Sequence, residues 1–531
     1  MTDITSFILS ALELLAFLFI FAIGLGVLWV AWMYVVDRTQ KDKAVLRNYP
    51  VVGRFRYLFE HLGEFFRQYF FAMDREEMPF NRAERSWAYR AAKNVDNTSA
   101  FGSTRNLRLQ DTVIFANCAY PTLDEHAVQD EPLLIGAACR HPYHAPSFFN
   151  VSAMSYGALS TPAVRALSMG AREGNFWLNT GEGGLSKHHL EGGCDLVMQI
   201  GTAKYGVRDL DGNLCDDKLR EVSAHEQVRM FEIKLSQGAK PGKGGILPGE
   251  KVNEDIAAIR GIPAWQDSIS PNRHLEVSNN AELLDLIARV RDVTGKPTGI
   301  KAVLGNESWL DELFAEICQR GIDSAPDFFT IDSADGGTGA APMPLMDDVG
   351  MPLRESLPVL IDKLYQHGLR DRIRVIASGK LITPTMAAWA LATGADFINS
   401  ARGFMFALGC IQAMQCNKNT CPTGVTTHNR KLQAGLVPEQ KYLRVASYAN
   451  NMKKEVAIIA HSCGVSSPRG LRRKHARMVV EHGRSIPLNV LYPDHAAERD
   501  RNDDMARAAI ASRPQQHDEL SAQTPADPAR H

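Results

Sequence analysis

The sequence predicts an α/β protein, a (β/α)8 TIM barrel preceded by one N-terminal transmembrane helix. Three observations carry this. A long uncharged apolar run stands near the start, short apolar stretches alternate with longer helical patterns over residues 151–460, and glycine-rich patches follow the ends of those stretches. The chain has 531 residues, 45% hydrophobic and 22% charged, with 59 Lys+Arg against 60 Asp+Glu. That composition excludes a disordered, collagen-like or mucin-like chain, and no overall cation excess exists for nucleic acid. Nine cysteines are too dilute, and odd in number, for a disulfide scaffold.

The uncharged run covers Leu14–Val36. As a helix it would be about 34 Å long, enough for a hydrocarbon core of roughly 30 Å. Trp29, Trp32 and Tyr34 lie toward its far end, where amphipathic rings suit an interface. A signal peptide fits less well, because no Lys or Arg precedes the run and no small-residue cleavage site follows it. A buried core helix would be unusual without a polar position. Asp3 and Glu13 precede the run, and Arg38, Lys41, Lys43, Arg47, Arg54 and Arg56 follow it. The positive-inside rule then predicts a single-pass protein of the cell inner membrane with its catalytic domain in the cytoplasm. Thiols there stay reduced, so clustered cysteines read as metal ligands or catalytic groups.

Four segments are expected. Residues 1–37 carry the span at 14–36. Residues 38–110 form a basic, aromatic, helical lead-in, with Tyr57, Phe65, Phe66, Tyr69 and Phe70 recurring on one side. That stripe could rest on the membrane or pack on the main domain. Residues 111–460 form the barrel, and 461–531 a helical extension with a polar tail. The basic stretch RGLRRKHARMVVEHGR of the extension reads as a helix whose charges face solvent, a membrane or a partner.

Strands are expected at Asp195–Ile200, Thr298–Leu304, Phe328–Ser333, Arg374–Ala377 and Phe397–Ser400. Helices are expected at Ala281–Val293, Trp309–Arg320 and Pro384–Ala392. Strands alternating with such helices are parallel βα units, and more than 300 residues of them favour a barrel. Four glycine patches follow: Asn179–His189, Gln237–Gly249, Asp332–Pro342 and Ala377–Lys380. Glycine lets backbone amides approach an anion closely, although βα turns also use it. Gly379 and Lys380 after one late strand, with Arg402 and Gly403 after the next, read as a phosphate cradle with two cations. Lys301 in TGIKAVLG and Lys234 in FEIKLSQGAK fall at strand ends, where they could face an electron-rich cofactor or a carboxylate, or simply snorkel.

Cys410, Cys416 and Cys421 are spaced C-x5-C-x4-C. They suit an iron–sulfur cluster, or zinc with His428 as a fourth ligand, or are buried free thiols. With no nearby fourth cysteine, three ligands suggest a three-iron cluster, or a four-iron cluster with another ligand.

The sequence resembles the FMN-binding synthase domain of the glutamate synthases. The matching pieces are SAMSYGALS (Ser152–Ser160), NTGEGG (Asn179–Gly184), KLSQGAKPGKGGILPG (Lys234–Gly249), ISP with His274, DGGTGAAP (Asp335–Pro342) and ALGCIQAMQCNKNTCPTGV (Ala407–Val425). They run in family order over roughly residues 110–430. The resemblance implies a flavin barrel, with FMN contacted by Ser152, Met154, Ser155, Gly157, Asn179, Gln199, Lys234, Lys301, Asp335, Gly336, Gly337, Gly379, Lys380, Arg402 and Gly403. It implies a [3Fe-4S] cluster on Cys410, Cys416 and Cys421. Glu182 corresponds to the glutamate that guards the family's ammonia entrance, and acts with Lys234 and Lys301 in catalysis. Gly183, Gly184 and Lys240 would meet the substrate.

The implied reaction condenses 2-oxoglutarate with ammonia or an amine and reduces 2-iminoglutarate to L-glutamate or an N-substituted glutamate. A separate electron donor, ferredoxin or a reductase subunit, is implied. Departures from the family are Leu185 where a further acidic residue is usual, a start at MTDITSF without the glutamine-hydrolysing cysteine domain, no C-terminal β-helix, and the apolar N-terminal run. Flavin and cluster therefore carry over better than the use of glutamine. Two other readings are a membrane-tethered electron-transfer or assembly subunit and an FMN-dependent 2-hydroxy acid oxidase.

Overall fold

The computed structural model describes residues 2–493. The chain divides into two compact units, Met1–Glu84 and a second beginning at Arg85.

The first unit is helical. Helix α1 spans Thr2–Thr39. It extends well before Leu14 because Ile4, Phe7, Ile8, Leu9 and Leu12 continue the apolar pattern ahead of Glu13. By length and composition the stretch Ile4–Thr39 could cross a membrane. A short α2 (Ala44–Asn48) turns the chain back into α3 (Gly53–Phe66), which continues as a wider turn to Phe71.

The second unit is built on eight parallel strands. They are β1 (Phe149–Val151), β2 (Leu178–Asn179), β3 (Leu196–Ile200), β4 (Val228–Lys234), β5 (Thr298–Ala302), β6 (Phe328–Asp332), β7 (Arg374–Ser378) and β8 (Phe397–Ser400). Each pairs with its neighbours in sequence, and β8 pairs with β1, so the sheet closes into a barrel. The helices expected between β4 and β6 and before β8 lie at Asn280–Thr294, Ser308–Arg320 and Pro384–Thr393.

The interior is layered. Alternation along VRMFEIK puts Met230, Glu232 and Lys234 on one side of β4 and Phe231 and Ile233 on the other. The lowest inward layer is apolar: Trp177, Val197, Met230, Phe328, Ile376 and Phe397. A hairpin of Leu133–Ile135 and Tyr143–Ala145 adds Ile135, Tyr143 and Ala145 to that cluster and closes this end. Two residues higher the inward positions are Asn179, Gln199, Glu232 and Thr330, all buried. Lys234 stands opposite Lys301 in the register of β4 and β5. Apolar packing thus holds the barrel at its base, and polarity rises toward the strand C-termini, where barrel sites form.

The basic stretch near the C-terminus is not the expected helix. Its ARMV forms a strand, Ala476–Val479, paired antiparallel with Val113–Phe115. Its charges do not form one exposed face: buried Arg473 meets Asp362 at 2.7 Å, and Arg469 lies 4.9 Å over the Phe397 ring. The β-branched pair Val479–Val480 and a waiting edge partner outweigh the charge pattern. The polar tail from residue 494 lies outside the described residues.

Tyr448, on the long helix Pro438–Ser462, is buried against Phe149 and Phe404 and donates to the Ile382 carbonyl at 3.0 Å. A Cβ on Gly403 would sit 2.0 Å from its hydroxyl. Gly403→Ala is therefore expected to cost about 1–3 kcal/mol by overpacking, read as a lower denaturation midpoint, with Tyr448→Phe partly restoring it.

Candidate active site

The strand C-termini and their loops enclose one cleft. Of the residues expected at the site, Ser152, Met154, Ser155, Glu182, Gln199, Lys240, Lys301, Gly337, Gly379, Lys380, Arg402 and Cys416 line it.

Its floor is charged and ordered. Lys301, on β5, pairs with Asp332, on β6, at 3.1 Å, and Asp332 also accepts the Gly238 amide at 3.0 Å. Burial opposes the Lys301 charge, but Asp332 and Glu232 more than offset it and keep the pKa above that of an ordinary lysine. Below it, Glu232 accepts from Asn179 at 2.8 Å, Gln199 at 2.6 Å and Thr330 at 2.6 Å. A buried carboxylate needs such donors.

Glu182 meets Lys234 at 2.8 Å. Burial would raise the Glu182 pKa, yet Lys234 and Lys240 hold it below the ordinary value. Glycine makes room for this carboxylate, since a Cβ on Gly245 or Gly201 would stand 2.5 or 2.6 Å from Glu182. Burial lowers the Lys240 pKa to about 8, helped by Lys234 and opposed by Glu182. Arg260 completes the cationic wall, donating to Ser268 at 3.0 Å.

At the far side, Lys380 pairs with Asp335 at 2.9 Å. Among the described residues the amides of Gly379, Lys380 and Arg402 have no backbone acceptor. Arg402 donates to the Thr338 carbonyl and reaches the Cys416 sulfur at 3.6 Å, joining the DGGTG loop to the cysteine loop.

In that loop each sulfur has a polar neighbour. The Gln412 amide reaches Cys410 at 3.5 Å, and the Thr423 hydroxyl stands 3.5 Å from Cys421. Lys251 donates to the carbonyls of Ala158 at 2.9 Å and Cys416 at 3.2 Å, and the Tyr89 hydroxyl to that of Cys410 at 2.6 Å. Gln412, Met414 and Asn419 all have positive φ, so the loop holds strain of the kind found at functional sites. Among the described residues no three His, Cys, Asp or Glu side chains gather tightly enough for a single metal ion. His428, the alternative zinc ligand, has Nε2 2.9 Å from the Gly157 carbonyl.

Other expected site residues sit off the cleft. Asn179 lies a layer below and Lys234 behind Glu182. Gly157, Gly183, Gly184, Gly336 and Gly403 abut Leu247, the Tyr156 carbonyl, Gly206, the Ser333 carbonyl and Tyr448, so protein packing accounts for them. Sequence reasoning missed Glu232, Asp332, Gln237, Lys251 and Arg260. A glutamate set among Met230, Phe231 and Ile233 inside a strand is a signal for Glu232. Lys251 lies in a polar stretch that reads as surface, and Arg260 is a single cation at the end of a short helix.

A family model described as the conserved region in glutamate synthase matches residues 93–466. The chain belongs to the glutamate synthase family. Within it, the chain is 39% identical over 519 residues to the glutamate synthase large subunit-like protein YerD of Bacillus subtilis, spanning 90% of this chain and 98% of that one. It is 32% identical over 346 residues to the archaeal-type glutamate synthase (NADPH) of Thermotoga maritima, covering 64% of each. Among solved structures, a flavocytochrome b2 variant with bound pyruvate aligns at a TM-score of 0.45 and 16% identity, over 77% of this chain and 87% of that one.

Proposed function

We propose that this glutamate synthase family member is an FMN-dependent oxidoreductase that reduces 2-iminoglutarate, formed from 2-oxoglutarate and ammonia or an amine, to L-glutamate or an N-substituted glutamate. The observation that carries this is the convergence of Lys301, Lys240 and Arg260 on one barrel-mouth cleft beside the ionised Glu182. A dianionic keto acid and an anionic cofactor both need such a surface.

The residues fit FMN. The amides of Gly379, Lys380 and Arg402, without a backbone acceptor among the described residues, suit its phosphate together with the Lys380 ammonium. Ser152, Met154, Ser155, Gln199 and Lys301 line the cleft where its ring would lie. When bound, FMN supplies the hydride and links one-electron to two-electron chemistry. Lys301 keeps a fixed positive charge at the cleft floor, placed to offset negative charge that develops there. Lys240 offers its ammonium to a substrate carboxylate. Glu182, held ionised, can accept hydrogen bonds from ammonia or an amine.

Cys410, Cys416 and Cys421 would hold a [3Fe-4S] cluster, which supplies one-electron transfer. In a polynuclear cluster each cysteine binds its own iron, so the sulfurs need not crowd around one point. Amide, hydroxyl and guanidinium donors at the three sulfurs suit ligated thiolates. The electron donor would be a separate protein, and α1 would anchor the chain in the inner membrane with the barrel in the cytoplasm.

A hydroxy acid oxidase would need a histidine base in the cleft. His274 and His428 direct Nε2 to the carbonyls of Lys234 and Gly157, and neither lines the cleft.

Protein purified anaerobically and denatured is expected to release stoichiometric, non-covalent FMN; release of FAD, or of no flavin after flavin-replete expression, contradicts the proposal. The pH dependence follows from Lys240. Its ammonium is present below about pH 8 and lost above it. 2-Oxoglutarate affinity, read by flavin absorbance changes, is therefore expected to fall up to roughly tenfold by pH 9.

A further inference from the structure

The helix running from Gly53 to Phe71 in the first unit has two unlike sides. In projection Phe55, Leu58, Phe59, Phe66, Tyr69 and Phe70 share one sector, and Arg54, Arg56, Glu60 and Arg67 the opposite one. Side chains of the apolar sector are exposed, Phe59 at 65% and Phe70 at 68%. Tyr57, expected in the stripe, lies on the other side, its ring 4.6 Å below the Lys43 ammonium. Exposed aromatic side chains gathered on one face mark an interaction surface.

The start of this helix is fixed. Asp37 is the first charged residue after Val36, where the apolar run ends. Arg54 grips both its oxygens, at 2.6 Å from Nη2 and 2.8 Å from Nε, and the Val51 amide adds a bond at 2.9 Å. Arg38 donates to the Arg47 carbonyl at 3.0 Å. The first turn of the amphipathic helix is thus tied to the level at which the apolar helix stops. Residues 38–71 carry seven Lys or Arg against three Asp or Glu.

We infer that Gly53–Phe71 lies in the interface of an anionic bilayer, as a second membrane anchor registered to α1 by the Asp37–Arg54 pair. The exposed aromatic sector enters the headgroup–acyl boundary and the basic residues meet lipid phosphates. The inference rests on the reading of α1 as a membrane span.

The test reconstitutes the full chain in vesicles of phosphatidylcholine and phosphatidylglycerol that contain a little diazirine-bearing phosphatidylglycerol. After illumination, mass spectrometry maps the lipid adducts. Adducts are expected on the apolar sector of residues 55–70 as well as on α1. The double variant Phe59→Asp/Phe70→Asp is expected to cut the adducts at 53–71 by about tenfold while leaving those on α1. Adducts confined to α1 would overturn the inference and leave the span standing, with the aromatic sector covered instead by protein. Adducts on neither segment would overturn both.

Discussion

Lys301→Ala is expected to destabilise the second unit by about 3–5 kcal/mol, because it leaves the buried Asp332 carboxylate without its cation. The side chains of Lys301 and Asp332 are only 6% and 9% exposed, so water cannot replace the lost partner. Glu232, one layer below, loses the same positive charge. The loss should appear as a lower denaturant midpoint with an unchanged slope. Lys301→Ala/Asp332→Asn should recover a substantial part of it, since the stranded charge is then gone. A change below about 1 kcal/mol in the single variant would mean that the pair is worth no more than an exposed one.

Cys421→Ser is expected to remove nearly all bound iron while most FMN stays. A hydroxyl is a harder, weaker iron ligand than a thiolate, and the phosphate side of the cleft lies on other loops. Reduction of the flavin by a one-electron protein donor should then almost cease, while direct photoreduction survives because it bypasses the cluster. Iron and zinc analysis with electron paramagnetic resonance on anaerobic protein reads the result. Stoichiometric zinc without iron, in protein made under iron-replete conditions, would contradict the cluster and turn the reading toward a binding or assembly subunit.

Five of the eight barrel strands were legible, while the longest, Val228–Lys234, was anticipated only by placing Lys234 at a strand end. Leu196–Ile200, Thr298–Ala302, Phe328–Asp332, Arg374–Ser378 and Phe397–Ser400 all fall within two residues of expectation. The first two strands, Phe149–Val151 and Leu178–Asn179, are too short to show a period, and their neighbours in the barrel define them. The Ala476–Val479 strand was hidden for a related reason: its partner lies over 350 residues away, at Val113–Phe115.

Within the site, glycine and lysine positions were legible but their reasons were not all so. Gly245 and Gly201 make space for Glu182, and Gly403 for Tyr448; neither relation is written locally in the sequence. Arg260 was invisible because its importance comes from burial, which spacing does not report. The cysteine trio stood out from spacing alone, whereas the Arg402 link between Cys416 and the glycine loop needed the fold.

The most direct test of the proposed function is a single anaerobic turnover. Protein whose flavin has been photoreduced is mixed with 2-oxoglutarate and ammonium, or with 2-oxoglutarate and methylamine, and its absorbance is followed. The expected result is flavin reoxidation that needs both keto acid and amine, with L-glutamate or N-methylglutamate formed in equal amount. A flavin that stays reduced with either mixture, while an artificial acceptor reoxidises it, would contradict the reading of this cleft as a site for imine reduction.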